Sequence, residues 1–171
     1  MMMMGRVGAL LLSWATGCGG DEECKAGGEA TVQGSVEGRT VDAVSALYGP
    51  HPVFDGFFAL VIDERTMTCD APPTGAGKSL VFIFCAPAAA RDYSMVGLED
   101  LPEQPCPDLA VATGLLEEEG GSDVASAMSG SLTVDSTGSC VAGMFSTTFT
   151  GGGQLGGSFR AAACESLAAG P

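Results

Sequence analysis

The apolar residues beyond position 28 come in short bursts divided by Gly-, Pro- and Asp-containing turns, and this spacing constrains the fold more than any other feature. The longest bursts are Phe57–Ile62 and Leu80–Ala86, six and seven residues, with strands expected over Phe57–Ile62 and Leu80–Cys85. Both are rich in Val, Ile and Phe and read as central strands. Ala30–Val36 and Thr40–Leu47 flank Glu37-Gly38, a tight hairpin signal because glycine accepts positive φ. Asp92–Val96 reads as a further strand, and Leu98–Pro107, with three prolines, as a loop. Leu109–Glu119 carries leucines at helical spacing. Gly114 and the trailing glutamates oppose a helix there, and a strand over Ala110–Leu116 is the better reading. Strands recurring at intervals of about 8–12 residues predict an all-β domain, a single antiparallel β-sandwich or up-and-down barrel. The 26 glycines and a charged fraction of only 16% oppose a helical bundle.

The C-terminal third is the most explicit part. Ser131–Val134, Cys140–Thr150 and Gln154–Cys164 read as strands, the last two joined by Gly151-Gly152-Gly153. A hairpin centred on Gly152 places Phe149 opposite Leu155, Phe145 opposite Phe159 and Cys140 opposite Cys164. That register predicts a Cys140–Cys164 disulfide, worth about 3 kcal/mol on the chain-entropy view. The repeated Gly143-Met144-Phe145 and Gly157-Ser158-Phe159, followed by Ala-Cys, resemble the C-terminal hairpin of uncharacterised secreted or lipid-anchored bacterial β proteins. The resemblance implies no activity. Packing accounts for the pattern, since a strand glycine leaves room for a neighbouring ring.

The first residues carry an address. Met1–Arg6 supply positive charge, and Val7–Ala15 form a nine-residue apolar stretch interrupted only by Ser13. As a helix this spans about 14 Å, under half of a bilayer core, which suits an export signal and not a membrane span. Ala15-Thr16-Gly17-Cys18 resembles the lipobox of bacterial lipoproteins, with Ala15 where leucine is usual. The resemblance implies cleavage before Cys18 and acylation of its thiol and amine, palmitate-type chains then anchoring the protein to a membrane of the cell envelope. Ordinary signal-peptidase cleavage, leaving a soluble exported chain, is the rival outcome. Gly19 stands where lipoproteins kept at the inner membrane carry Asp, so an outer-membrane destination is expected. The chain then divides into a signal peptide (1–17), a lipidated N-terminus and glycine-rich flexible spacer (18–28) and a β domain (29–171).

Cysteine arithmetic agrees with this. Lipidation of Cys18 removes one of seven cysteines and leaves an even set, Cys24, Cys69, Cys85, Cys106, Cys140 and Cys164, for three bridges in an oxidising compartment. No Cys-x-x-Cys occurs, and His51 is the sole histidine, so neither a zinc site nor a redox pair is expected. The formal charge of −14 becomes −15 when Arg6 is lost with the leader. Such a surface repels phosphate backbones and anionic leaflets, so no nucleic-acid partner is expected and any membrane attachment falls to acyl chains.

The chemistry-bearing motifs are weak. Gly77-Lys78-Ser79 ends like a phosphate-binding loop, but Pro72 replaces the required first glycine and a strand follows where a helix is needed. His51 lies between Pro50 and Pro52 with no Gly-x-Ser-x-Gly elbow for a hydrolase to use. Asp21-Glu22-Glu23 and Glu117-Glu118-Glu119 lack the alternation of a calcium loop. No catalytic residue, cofactor or metal is therefore expected. The leading expectation is a lipid-anchored exported domain without enzymatic activity, with a structural or binding role at the envelope. A lipocalin-like carrier of a small apolar ligand and an extracytoplasmic hydrolase are the alternatives.

Overall fold

The computed structural model describes residues 24–52, 54–97, 110–118 and 122–167. These residues form nine strands: β1 (Glu29–Val36), β2 (Ser45–Pro50), β3 (Phe58–Asp63), β4 (Gly77–Phe84), β5 (Arg91–Gly97), β6 (Ala110–Glu118), β7 (Ser122–Ser136), β8 (Cys140–Phe149) and β9 (Gly153–Ala163). Eight close a barrel in the order β9-β2-β3-β4-β6-β5-β7-β8 and back to β9, while β1 lies outside that ring, paired to β9. The all-β, barrel-like expectation holds. The barrel is not a simple meander, because β5 and β6 exchange places and the β2–β9 and β5–β6 pairs are parallel. The expected loop Leu98–Pro107 lies outside the described residues.

Alternation along the strands explains the core. Leu60, Ile62, Leu80, Phe82, Phe84, Leu132, Val134 and Leu155 point inward and are fully or almost fully buried in one cluster with Tyr48, Tyr93, Phe145 and Phe159. Phe82 meets Phe145 edge-on at 5.2 Å, and Phe84 meets Tyr93 edge-on at 5.3 Å. The interior is thus occupied by the protein's own rings. At the end where β2 finishes and β3 begins, here termed the upper end, the β4–β5 connection is tied across the barrel by two phenols. The Tyr48 hydroxyl accepts from Ala88 N at 2.6 Å and that of Tyr93 from Ala89 N at 2.8 Å. Burial pushes the Tyr48 phenol above its usual range.

Thr113 is the exception in this interior. It is fully buried on β6 opposite Phe82, and its Oγ1 finds no hydrogen-bond partner among the described residues. An unmatched buried hydroxyl costs about 1–3 kcal/mol. Thr113→Val, which keeps the shape and removes the hydroxyl, is expected to raise stability by about 1 kcal/mol in urea unfolding, and a loss would mean that the hydroxyl is bonded.

The C-terminal hairpin corrects the expected register. Its turn centres on Gly151, so Phe145 pairs with Gly157, Gly143 with Phe159, and Cys140 with Ala162. Moving the centre by one residue slides the pairing by two, which preserves the inward face but separates Cys140 from Cys164. The bridges are Cys24–Cys140 and Cys69–Cys164, with Cα atoms 5.3 and 5.4 Å apart. The expected Cys140–Cys164 disulfide is therefore not formed. Cys85 is disulfide-bonded as well. The same register explains the repeated Gly-x-Phe: each phenylalanine lies across from the other strand's glycine. A Cβ on Gly143 would meet Phe159 Cζ at 3.0 Å, and one on Gly157 would meet Phe145 Cε1 at 3.1 Å.

A second cluster lies outside the barrel wall. Leu47 and Ala59 face outward from β2 and β3 and are covered by Met67, Leu167 and the Cys69–Cys164 bridge. Residues 24–28 also belong to the folded body, which shortens the expected spacer. Cys24 is bonded to β8, Gly28 N donates to Lys25 O at 2.8 Å, and Ala46 N donates to Gly27 O at 2.9 Å. Glycine composition alone reads as spacer, whereas Gly27 and Gly28 adopt positive φ in a turn packed on the barrel.

Candidate functional site

The outer wall formed by β1, β9 and β8 carries a groove of about 550 Å³. Strand pairing builds it in two rows. Thr31, Ser158 and Met144 lie side by side, and Glu29, Arg160 and Ala142 form the next row, with Asp135 of β7 at the margin. Alternation turns these side chains outward while Phe159 and Phe145 fill the core and Val32 packs against it. Thr31 Oγ1 and Ser158 Oγ share a hydrogen bond of 2.9 Å. Met144 is 58% exposed, an uncovered thioether beside Ala142 and the polar side chains of the wall. The side-chain hydrogen bond and charge of Lys25, at 2.7 Å, hold the Glu29 carboxyl below its usual range, so it is ionised at neutral pH. The groove therefore offers hydroxyls, charges of both signs and an apolar lining of which Met144 is the most exposed large side chain. Its volume falls within the range of small-ligand sites.

The phosphate-loop-like segment has a different role. Gly77, Lys78 and Ser79 open strand β4, and their polar atoms are engaged within the wall. Ser79 Oγ donates to Asp63 Oδ2, and Lys78 Nζ reaches Glu64 Oε1 at 3.0 Å. Asp63 is wholly buried, and Arg65 grips it in a fork, Nε to Oδ1 and Nη2 to Oδ2, both at 2.8 Å. Arg65 Nη1 also donates to Gly75 O at 2.7 Å. This network fastens the β3–β4 connection to the strands and leaves no lysine poised for phosphate.

Glu64 joins three segments. Its carboxylate accepts from the amides of Asp42 and Lys78 and from the Lys78 ammonium. Burial pushes its pKa up, but the Asp42 amide, the Lys78 side chain and the Lys78 amide outweigh that and hold it below the usual 4.5. A carboxyl depressed in the folded state stabilises the fold above its unfolded pKa, and that contribution is lost as pH falls through the folded value. Glu64→Gln is therefore expected to flatten the fall of the urea midpoint below about pH 4.5. An unchanged acid limb would contradict the assignment.

The remaining sequence candidates are scattered. His51 lies in the β2–β3 connection at the upper end, on none of the groove's strands, where its Nδ1 accepts from Phe54 N at 3.1 Å. Burial lowers its pKa, so the ring is neutral at pH 7. Cys140 and Cys164 are consumed in separate bridges. Glu117 and Glu118 belong to β6. Cys18, Asp21, Glu22, Glu23 and Glu119 lie outside the described residues. Among the described residues, no three His, Cys, Asp or Glu converge in a way that could hold a metal ion. No described helix is long and apolar enough to cross a membrane. Sequence reading missed the groove because its residues are ordinary outward positions of three strands; only the correct β1–β9–β8 register aligns Thr31, Ser158 and Met144. Comparison with family models, with curated proteins and with solved structures finds no match.

Proposed function

We propose that this chain is an exported, lipid-anchored binding domain without enzymatic activity, tethered through Cys18 to the outer membrane and meeting its ligand at the β1–β9–β8 groove. The observation that carries the reading is the state of the thiols: all five described cysteines are bonded in disulfides, which fits an oxidising compartment. Acylation of Cys18 would leave Cys106 as the thiol for Cys85, giving three bridges and no surplus.

The binding part of the reading rests on where space is left. Among the described residues the interior is taken up by the protein's own aromatic rings and the upper end is strapped by Ala88 and Ala89, whereas the outer wall offers a groove of ligand size. A ligand suited to the groove carries an apolar group for Met144 and hydroxyl or amide groups for Thr31 and Ser158. Metabolic labelling with an alkyne-bearing fatty acid tests the anchor. Label is expected on the wild-type chain and not on Cys18→Ser. An unlabelled wild-type chain recovered in the soluble fraction would overturn the anchor.

A further inference from the structure

The β2–β3 connection is an aromatic projection. His51 and Phe54 rings lie 4.8 Å apart, and Phe54 and Phe57 rings 6.2 Å apart. His51 N donates to Phe57 O at 2.8 Å, and Phe57 N to Phe54 O at 3.2 Å, which fixes a compact turn with Gly56 at φ 82°. Phe54 is left 51% exposed and is the one aromatic among the large hydrophobic side chains that the described surface exposes. Burying a phenyl ring is normally favourable by about 1.5–3 kcal/mol, and that gain is open to Phe54 at an apolar surface.

The loop's position points to which surface that is. Cys24 is bonded to Cys140, Cys140 pairs with Ala162, and Ala162 pairs with Leu47. Pro50 ends β2 three residues beyond Leu47, so the loop projects about 10 Å past the bridge that receives the N-terminal chain. Cys18 precedes Cys24 by six positions, a reach of about 20 Å even when fully extended. The tether therefore emerges at the end that carries Phe54, and it is too short for the barrel to turn that end far from the lipid. The other large apolar residues that the described surface exposes do not share this position: Val44 precedes β2 and Met128 lies near Phe149, both at the lower end, and Met144 lies within β8 on the side of the barrel.

We infer that the His51–Phe54–Phe57 loop is a second membrane contact, with Phe54 inserted among the headgroups of a zwitterionic phospholipid surface beside the acyl anchor. The inference rests on the lipid-anchor reading. The loop's own Asp55 and the protein's net charge of −14 favour a zwitterionic over an anionic surface. The loop histidine is uncharged at neutral pH, which removes a desolvation cost from insertion. The acyl chains hold the protein at the membrane but leave it free to swivel, and an inserted aromatic fixes the orientation in which the groove is presented.

The test uses the acylated, full-length mature protein in phosphatidylcholine vesicles. The sole tryptophan, Trp14, belongs to the leader, so Phe54→Trp introduces the one indole of the mature chain. Vesicles brominated on the acyl chains are expected to quench its emission about twofold relative to plain vesicles, with a blue shift. Met128→Trp at the opposite end is expected to show neither. Intact mass, run on the same samples, reports acylation and oxidised cysteines in both variants. Acylated, oxidised protein whose Phe54→Trp indole emits as in water overturns the lipid contact alone and leaves the aromatics to a protein partner. Unacylated protein overturns the anchor and this inference together.

Discussion

Replacing Cys69 and Cys164 together by alanine is expected to lower stability by about 3–5 kcal/mol, read as a fall in the urea midpoint of the oxidised protein. The bridge joins residues 95 positions apart, a loop long enough for the chain-entropy contribution alone to approach about 4–5 kcal/mol. It has a local role too. It clamps the β3–β4 connection and the segment after β9 over Leu47 and Ala59, so that Met67 and Leu167 cover these apolar residues on the outside of the barrel. The double variant should therefore bind a hydrophobic dye more strongly than wild type while keeping its far-ultraviolet β signal. A change under about 1 kcal/mol would mean that the outer cluster forms without the bridge.

Asp63→Ala should cost about as much, 3–5 kcal/mol by the same measurement, because it strands a guanidinium whose side chain is only 9% exposed. The informative comparison is the pair. With Asp63→Leu and Arg65→Met combined, no buried charge remains uncompensated, and the loss should shrink to about 1 kcal/mol. A double variant as unstable as Asp63→Ala would show that the fork, and not relief of a buried charge, holds the β3–β4 connection. The pair also shows how a motif can mislead. Gly77-Lys78-Ser79 has the residue types of a phosphate loop, yet Ser79 bonds Asp63 and Lys78 bonds Glu64 across adjacent strands.

Strand identity was legible wherever apolar runs were short and bounded. Phe57–Ile62, Leu80–Cys85, Asp92–Val96 and Ala110–Leu116 fall within two residues of β3, the C-terminal part of β4, β5 and the N-terminal part of β6. Glu37-Gly38 does turn the chain, with φ 50° and 79°, but the hairpin ends after the single Val36–Arg39 bridge and β2 begins only at Ser45. Val41 is drawn into the core there instead of extending a ladder. Pairing partners were not legible. β5 lies between β6 and β7 over part of their length, a non-local arrangement that no local pattern encodes. The hairpin of β8 and β9 was found with the right faces and the wrong centre, because three consecutive glycines permit more than one turn and the Phe145–Gly157 fit decides between them. The groove depends on that register and was hidden for the same reason.

On the proposed reading the chain matures outside the cytosol as a sulfur-braced barrel behind an acylated Cys18. Proteolytic mapping of the unreduced protein, purified from its native membranes and read by mass spectrometry, tests this most directly. The expected map contains Cys24 linked to Cys140, Cys69 linked to Cys164, Cys85 linked to Cys106, and an N-terminal peptide that begins at a lipid-modified Cys18. Free thiols at these positions, a Cys140–Cys164 link, or an intact peptide running from Met1 through an unmodified Cys18 would contradict it.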